Sequence, residues 1–451
     1  MASVTETDTR GAFNVDELRE GVASALAEAR RLGASGAEAS LSLSRGIVVT
    51  VRLGEVETIE HTRDRGLGVT VYFGQHTGSA SSSDLRATAI RETVRAAASI
   101  AKYTAADDCA GLADPDTLAT DIPDLDLHHP WALGSEAAIE LAQRCEAAAR
   151  DTDARIRNSD GASVSSHEGV EVYGNTHGFL GTVAATRHGL SCAVIAQNES
   201  GMQRDYWYSA ARRAGDLEAA EQVGRSAAQR SLRRLDARKL ATRRAPVVYE
   251  APVAASLLSH FVGAVRGSSL YRQASFLLDR LDQPVFAPQV RIDERPHLKR
   301  ALGSAPFDNE GVATRDRDLV RDGILQGYVL DSYSARKLKL RTTGNAGGVH
   351  NLSIAPGERD LAGLLAQMHT GLLVTELIGF GVNTVTGDYS RGAAGFWVEN
   401  GEIQYPVEEI TVAGNLKDMF RQLVAVGSDV DLRGNIRTGS ILIDGMTIAG
   451  S

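Results

Sequence analysis

The chain has 451 residues and a formal net charge of -9 at pH 7, and this length predicts two or three domains rather than one core. Its content of 43% hydrophobic and 23% charged residues is typical of an ordinary soluble protein. The acidic balance argues against a phosphate-binding surface as the main function, and therefore against a nucleic-acid partner.

Cysteine usage and apolar runs indicate the compartment. Cys109, Cys145 and Cys192 are widely spaced and form no CxxC pair, which suits a reducing cytoplasm. Residues 1–10 are polar and partly acidic, unlike a secretory signal. No run of about eighteen apolar residues occurs, so no membrane-spanning helix is predicted. We expect a cytoplasmic protein.

The first hundred residues are predicted to form a helix-flanked sheet. Asn14 is placed to cap a helix from about residue 15 to 32, and Gly33 is placed to end it. Strand-like runs follow between residues 37 and 81. A second helix is predicted over 84–103, with alanine and isoleucine at its apolar positions.

An acidic, proline-bearing surface connection is predicted at 104–133. It leads into a helix predicted at about 134–151, a strand series predicted at about 156–211 and a further helix predicted at about 217–234. Asp216 is placed to cap the last helix. The basic run from Arg230 to Arg244 is interpreted as a solvated helix followed by a linker, in preference to a nucleic-acid patch.

The main boundary is predicted near residues 236–246. It gives an N-terminal domain at 1–240, with subsegments at about 14–104 and 134–235, and a β-rich C-terminal domain at 241–451. A hairpin is predicted at Glu399-Asn400-Gly401-Glu402, because Asn-Gly supplies the positive φ of a two-residue turn. The fold class is therefore α+β: a helix-flanked mixed or antiparallel sheet, then a β-dominated domain.

Long, non-repetitive segments carry a family resemblance. They are Thr386–Asn415, Ser304–Val312, Ser332–Leu338 and Thr343–Asn351. From about residue 247 onward the chain resembles the PmbA (TldE) branch of the TldD/PmbA family of bacterial and archaeal metallopeptidases. The resemblance implies pairing with a TldD-like catalytic subunit into a heterodimer that cuts peptides or unfolded proteins. In that family the associated functions are maturation of a microcin precursor and degradation of an antitoxin.

The family's catalytic branch, TldD, carries a His-Glu-x-x-x-His helix and a later cysteine as metal ligands. By the resemblance, Ser259 occupies the first histidine position, His260 the glutamate position and Ala264 the second histidine position, and no cysteine follows Cys192. Zinc needs three protein donors and an open position for water. We therefore expect no metal, cofactor or catalytic residue on this chain, with zinc on the TldD partner.

Two other functions remain open: a stand-alone metallopeptidase or hydrolase with an unrecognised site, and a non-enzymatic peptide-binding regulatory protein. Under the preferred interpretation the chain would hold an extended peptide against sheet edges. The isolated chain could also form a homodimer.

Candidate residues facing the substrate or the partner are polar side chains in the family-like segments: Asp388, Tyr389, Ser390, Arg391, Tyr333 and Arg336. The first four form either a turn, with Asp388 bonding local amides, or a loop near the chamber where the resemblance implies that the two subunits meet. Glu376 and Asn383 leave the same choice open. Tyr333 and Arg336 either line a partner or peptide surface or begin an exposed helix.

Overall fold

The computed structural model describes residues 13–450, and it begins with a unit of one helix, three strands and one helix that then occurs a second time. The first unit comprises α1 (Val15–Arg31), β1 (Gly36–Arg52), β2 (Glu55–Phe73), β3 (His76–Ser82) and α2 (Ala87–Ala101). The second comprises α3 (Ser135–Arg150), β4 (Ile156–Asn175), β5 (Leu180–Asn198), β6 (Gly201–Ala211) and α4 (Ala220–Leu232). Antiparallel pairing of β1 with β4 joins them into one sheet of order β3-β2-β1-β4-β5-β6.

The strands of this sheet are long enough for their alternation to separate two faces. One face carries apolar side chains such as Val49, Val164 and Val194, which form a core with residues of α3 and α4. The other face carries small polar side chains such as Ser42 and Ser163, which are partly exposed. The helices therefore cover the apolar face, and much of the polar face is open to solvent.

Local signals at the helix ends were predictive in two cases and misleading in one. The Asn14 side chain accepts a hydrogen bond from the Glu17 backbone N–H (3.2 Å), and Gly33 follows α1 with φ of 82°, so both predictions are confirmed. The predicted cap at Asp216 is wrong. Asp216 ends a 3₁₀ turn that begins at Ala214 and pairs with Arg213, and α4 begins only at Ala220 without a side-chain cap.

The C-terminal part contains two further sheets, of order β14-β13-β12-β7-β17-β15 and β10-β9-β8-β11-β16. Its strands are β7 (Arg243–Tyr249), β8 (Ile292–Glu294), β9 (Arg317–Arg321), β10 (Ile324–Leu325), β11 (Leu352–Ile354), β12 (Gly371–Ile378), β13 (Asp388–Glu399), β14 (Glu402–Asn415), β15 (Leu423–Val426), β16 (Ile436–Arg437) and β17 (Ile441–Ala449). Its helices are α5 (Ala251–Val265), α6 (Gly267–Tyr271), α7 (Ser332–Lys337), α8 (Leu361–Met368) and α9 (Leu416–Arg421). The α+β prediction is confirmed. No helix within residues 13–450 is long and apolar enough to cross a membrane.

The predicted hairpin joins β13 to β14. Glu399 pairs with Glu402, and the two residues between them, Asn400 and Gly401, have φ of 55° and 79°. Both values lie in the left-handed region that the two-residue turn needs, so this prediction is confirmed. A side chain at Gly401 would also meet the Ala366 Cα at 2.8 Å, which makes glycine the residue that fits.

The basic run lies between the N-terminal and C-terminal parts, and the predicted solvated helix is wrong. The Arg230 side chain is only 13% exposed and contacts Asp205 at 3.2 Å and Glu250 at 3.0 Å. Arg234 contacts Asp205 at 3.6 Å and Glu376 at 2.6 Å. Carboxylates from both parts reach Arg230 on α4 and Arg234 just after it, so these two guanidinium groups form largely buried ion pairs rather than being hydrated. The basic residues of the run from 238 to 244 are exposed.

A second junction between the two parts holds buried carboxyl groups. Phe307, from the C-terminal part, packs edge-on against Phe179 of the N-terminal part, with ring centroids 5.1 Å apart. Next to it, the Asp308 carboxylate accepts backbone hydrogen bonds from Glu310, Val312 and Ala346. Burial raises the pKa of Asp308 to about 6 and that of Glu310 to about 7.

Replacing Glu310 tests this junction. The raised pKa means that Glu310 contributes stability that is complete below the ordinary value of 4.5 and lost as pH rises through about 7. Glutamine does not titrate. We predict that the stability of Glu310→Gln relative to the parent increases by about 2 to 3 kcal/mol between about pH 5 and about pH 8.

Urea denaturation at both pH values measures this difference in unfolding free energy. Buried histidines such as His188 and His350, whose pKa burial lowers, titrate in both proteins and cancel in the comparison. A difference that is the same at both pH values would contradict the raised pKa of Glu310.

Candidate functional site

A pocket of about 300 Å³ lies between β6 and α4 on one side and α5, β12 and β13 on the other. We call it the arginine pocket because five guanidinium groups line it, those of Arg204, Arg230, Arg234, Arg391 and Arg433. Tyr206, Trp207 and Tyr208 add aromatic surface, and the Arg433 guanidinium carbon lies 4.1 Å from the centroid of the Trp207 ring. Its volume is at the small end of the range for pockets that bind small ligands.

The arginines of this pocket differ in how their charge is compensated. Arg204 pairs with Asp160, Arg433 pairs with Asp431, and Arg230 and Arg234 share the carboxylates described above. Arg391 forms no ion pair with any carboxylate of residues 13–450, and its Nε is a buried atom without a hydrogen-bond partner. The arginine pocket therefore presents one cation that the described part of the chain does not neutralise.

The edge of β6 beside the pocket is occupied by side chains. Arg234 donates to the Arg204 carbonyl oxygen (3.1 Å), Arg433 donates to the Tyr208 carbonyl oxygen (2.8 Å), and the Tyr206 N–H donates to the Asp205 carboxylate (2.7 Å). These bonds use backbone groups that an added strand would need. A peptide in this pocket would therefore be bound by side chains rather than as an extra strand of the sheet.

The three positions aligned with the metal motif do not converge on one site. Ser259 is exposed and its hydroxyl donates to the Ala255 carbonyl oxygen (3.1 Å), whereas Ala264 is fully buried in the core. The solvent exposure of His260 is intermediate between that of Ser259 and that of Ala264. A hydroxyl, a methyl and one imidazole do not make a three-donor zinc site. Throughout residues 13–450, no group of three or more His, Cys, Asp and Glu side chains is placed to hold a metal ion.

His260 packs against β13 beside the pocket. Its ring makes an edge contact with the Tyr389 ring, with centroids 6.0 Å apart, and its Nε2 is buried without a partner. Burial, and then the charge of Arg391, lower the pKa of His260, so its imidazole is neutral near pH 7. Among residues 13–450, no carboxylate is hydrogen-bonded to this Nε2, so none orients the imidazole through that atom.

Side chains alternate between the two faces of β13, so the four candidate residues at 388–391 do not lie together on one face. Tyr389 is buried and Arg391 lines the pocket, whereas Asp388 and Ser390 are exposed on the opposite face. The sequence left two interpretations open, and the one in which Asp388 bonds local amides is wrong. Because Asp388 starts a strand rather than a turn, its carboxylate accepts instead from the Thr386 hydroxyl (2.6 Å) and the Asn415 side-chain amide (3.0 Å).

Glu376 and Asn383, for which the sequence leaves the same choice open, lie in different places. Glu376 lines the pocket and pairs with Arg234. Asn383 instead organises the loop before β13, where its side-chain oxygen accepts from the backbone N–H of Val385 (2.9 Å) and of Thr386 (3.3 Å).

Tyr333 and Arg336 lie on α7, where they hold the connection that links α2 to α3. The Tyr333 hydroxyl donates to Asp107 (2.7 Å). Arg336 donates to the carbonyl oxygens of Cys109 (3.2 Å) and Gly111 (3.0 Å) and pairs with Asp114 (3.1 Å). The structure uses both residues in contacts within the chain, and neither lines the arginine pocket.

Removing Arg336 tests whether α7 holds the connection between α2 and α3 in place. We predict that Arg336→Met lowers the unfolding free energy by about 2 to 4 kcal/mol, because it leaves partly buried carbonyl oxygens without a charged donor. Arg341→Met is the matched control: it removes a pair with side chains 70% and 69% exposed, which costs below about 1 kcal/mol. Urea denaturation measures both variants. Faster proteolysis within 104–133 in Arg336→Met alone would support the role of Arg336 in holding this connection. Equal effects of the two variants would contradict that role.

Sequence reasoning missed most of the pocket. Arg230 and Arg234 belong to the basic run for which the sequence predicts a solvated helix. No sequence pattern predicts a role for Trp207, Thr375 or Arg433. The basic run was the available signal. Its carboxylate partners lie on separate elements, and only the folded chain brings them to α4.

The fold and the pocket define a class: an α+β protein with a polar pocket between its N-terminal and C-terminal parts. Sequence models of one family match most of the chain: residues 37–101 as PmbA/TldA metallopeptidase domain 1, 128–235 as the central domain and 242–450 as the C-terminal domain. The chain therefore belongs to the TldD/PmbA family of metallopeptidases, and within it to the PmbA branch.

Individual relatives agree with this placement. The chain is 52% identical over 433 residues to a protein of Escherichia coli O157:H7 named metalloprotease PmbA, covering 96% of each chain. A crystal structure of a protein of Bacteroides thetaiotaomicron, described as a candidate modulator of DNA gyrase, is 30% identical with a TM-score of 0.92, covering 97% of this chain and 99% of that one. TldE of Thermococcus kodakarensis shares the fold, with a TM-score of 0.83 at 19% identity and coverage of 95% and 100%.

Proposed function

We propose that this chain is the metal-free, non-catalytic subunit of a heterodimeric peptidase whose TldD-like partner supplies the zinc and cleaves the peptide bond. The observation that carries this proposal is the mismatch on α5. The chain has the three domains of a metallopeptidase family, yet Ser259, His260 and Ala264 cannot together hold zinc.

The substrate in this proposal is a peptide or an unfolded protein, which this chain binds and positions. Two features support that role. The N-terminal sheet has a face of small polar side chains that the helices leave open, and the arginine pocket lies between the two parts of the chain. Both surfaces present polar side chains that a bound peptide could contact, which suits a subunit that holds substrate for another.

Reconstitution with a TldD-like protein tests the proposal. We predict that the isolated chain carries less than about one-tenth of an equivalent of zinc and cleaves no unfolded peptide, whereas an equimolar mixture cleaves it and loses activity with a chelator. Metal content, subunit mass and peptide cleavage are measured for each protein alone and for the mixture. The mass measurement also shows whether the isolated chain forms a homodimer.

Three outcomes would contradict the proposal. Chelator-sensitive cleavage by the isolated chain would make it a stand-alone metallopeptidase, and chelator-resistant cleavage would indicate another hydrolase site. Stable peptide binding without association with any TldD-like protein, in native co-purification as well as in the mixture, would make it a non-enzymatic regulatory protein.

The loop between β12 and β13 is a candidate contact with the partner subunit. Phe380 at its tip is 97% exposed, and Ile378 and Val385 beside it are 57% and 53% exposed. Single exposed apolar residues are normal, but three close together, at the end of β12 and on the loop that follows it, are typical of an interaction surface. The loop leads directly into Asp388 and the strand that carries Arg391.

Replacing Phe380 tests this contact. We predict that Phe380→Ser weakens association with the TldD-like subunit by at least about tenfold, because a buried aromatic anchor contributes strongly to an interface. Tyr103→Ser is the matched control, since Tyr103 is 88% exposed at the end of α2, in the N-terminal part. Light scattering and titration of partner-dependent cleavage measure the effect. Equal affinity of the two variants would place the interface elsewhere.

A further inference from the structure

The uncompensated charge of Arg391 is the starting point for a more specific assignment. The Arg391 side chain is partly buried, and its Nε has lost water without gaining a hydrogen-bond partner among residues 13–450, which costs free energy in the folded protein. The neighbouring guanidinium groups engage the carboxylates around the pocket, and no carboxylate of residues 13–450 forms an ion pair with Arg391. One bound monoanion would supply the missing counter-charge.

A second buried polar group points into the same pocket. Thr375 is 5% exposed, lines the pocket, and has a hydroxyl without a hydrogen-bond partner in the part of the chain that the structure describes. It lies at the irregularity in the pairing of β12 with β13, where Val374 pairs with Gly395 but Glu376 pairs with Ala394. Such a bulge changes the direction of a side chain and often occurs beside binding sites. Arg391 and Thr375 thus offer two unsatisfied groups on adjacent strands.

We infer that Arg391 and Thr375 bind the free C-terminal carboxylate of a short peptide in the arginine pocket. Guanidinium and carboxylate groups match in geometry, and a hydroxyl provides a further hydrogen bond to the same anion. The choice of a peptide as carrier of the carboxylate rests on the proposed function. The volume of about 300 Å³ suits the last residues of a chain, and Tyr206 and Tyr208 provide aromatic surface for their side chains.

The carboxylate assignment also explains how a chain without hydrolytic groups acts on substrate position. A peptide fixed at its C-terminus extends from the pocket in one direction, so its distance from a partner's metal is set by the number of residues. The N-terminal end of the peptide makes no contact with the arginine pocket in this arrangement. The inference therefore predicts a preference for substrates or products that end near the bond to be cut.

Binding of acetyl-trialanine tests the inference with the intact chain alone. We predict that the free acid binds at least about tenfold more tightly than its C-terminal amide, because only the acid forms a charge-assisted bond with Arg391. Calorimetry at low ionic strength measures both affinities. Trp207, in the pocket wall, supplies a fluorescence signal that should be absent in Trp207→Phe and present in Trp397→Phe.

Variants separate charge from shape. Arg391→Gln should abolish the preference for the acid, Arg391→Lys should retain part of it, and Thr375→Val should reduce affinity for the acid about two- to tenfold. The exposed Arg157 provides the control, and Arg157→Gln should bind like the parent. If Arg391→Gln fails to fold, as judged by circular dichroism, Thr375→Val still tests the same site.

Several results would overturn the inference. They are equal affinity for acid and amide, no binding of either at millimolar concentration, or a preference for the acid that persists in Arg391→Gln. Inorganic phosphate that binds as tightly as the acid would show a general anion site instead of a peptide site. Failure of the proposed function is distinguishable: the acid would still bind the isolated chain, but no mixture with a TldD-like protein would cleave peptide.

Discussion

The charge compensation around α4 is the interaction on which the relative placement of the two parts depends. Arg230 reaches Asp205 on β6 and Glu250 at the start of the C-terminal part, and Arg234 joins Asp205 to Glu376 on β12. Arg230 and Arg234 are largely buried and each contacts two carboxylates, so loss of one carboxylate would leave them less compensated, at a greater cost than loss of a surface ion pair. The network therefore favours the arrangement of the two parts in which the arginine pocket forms.

Features that depend on neighbours in sequence were predictable. The Asn14 cap, the Gly33 helix end and the Asn400-Gly401 hairpin each follow from the conformational preference of one or two residues. The basic run shows the limit of this reasoning. Whether Arg230 is hydrated or buried depends on carboxylates that reach it from two other elements, and no local pattern encodes their proximity.

The candidate site was predictable as a segment but not as a set of side chains. The family-like sequence around residue 390 drew attention to four consecutive polar residues, of which only Tyr389 and Arg391 face inward. Alternation along a strand would have separated them once the start of β13 was known. Thr375 was harder to find, because its orientation results from an irregularity in strand pairing that single residues do not signal.

The loss of metal donors and the presence of Arg391 have opposite energetic consequences. Ala264 fills an apolar position in the core, and the Ser259 hydroxyl bonds its own helix, so neither substitution leaves a group that needs a ligand. Arg391 and Thr375 do leave such groups. Within residues 13–450, α5 keeps one buried polar side-chain atom without a partner, His260 Nε2, whereas Arg391 and Thr375 place two on one pocket, so the pocket offers more unsatisfied groups to a ligand than α5 does.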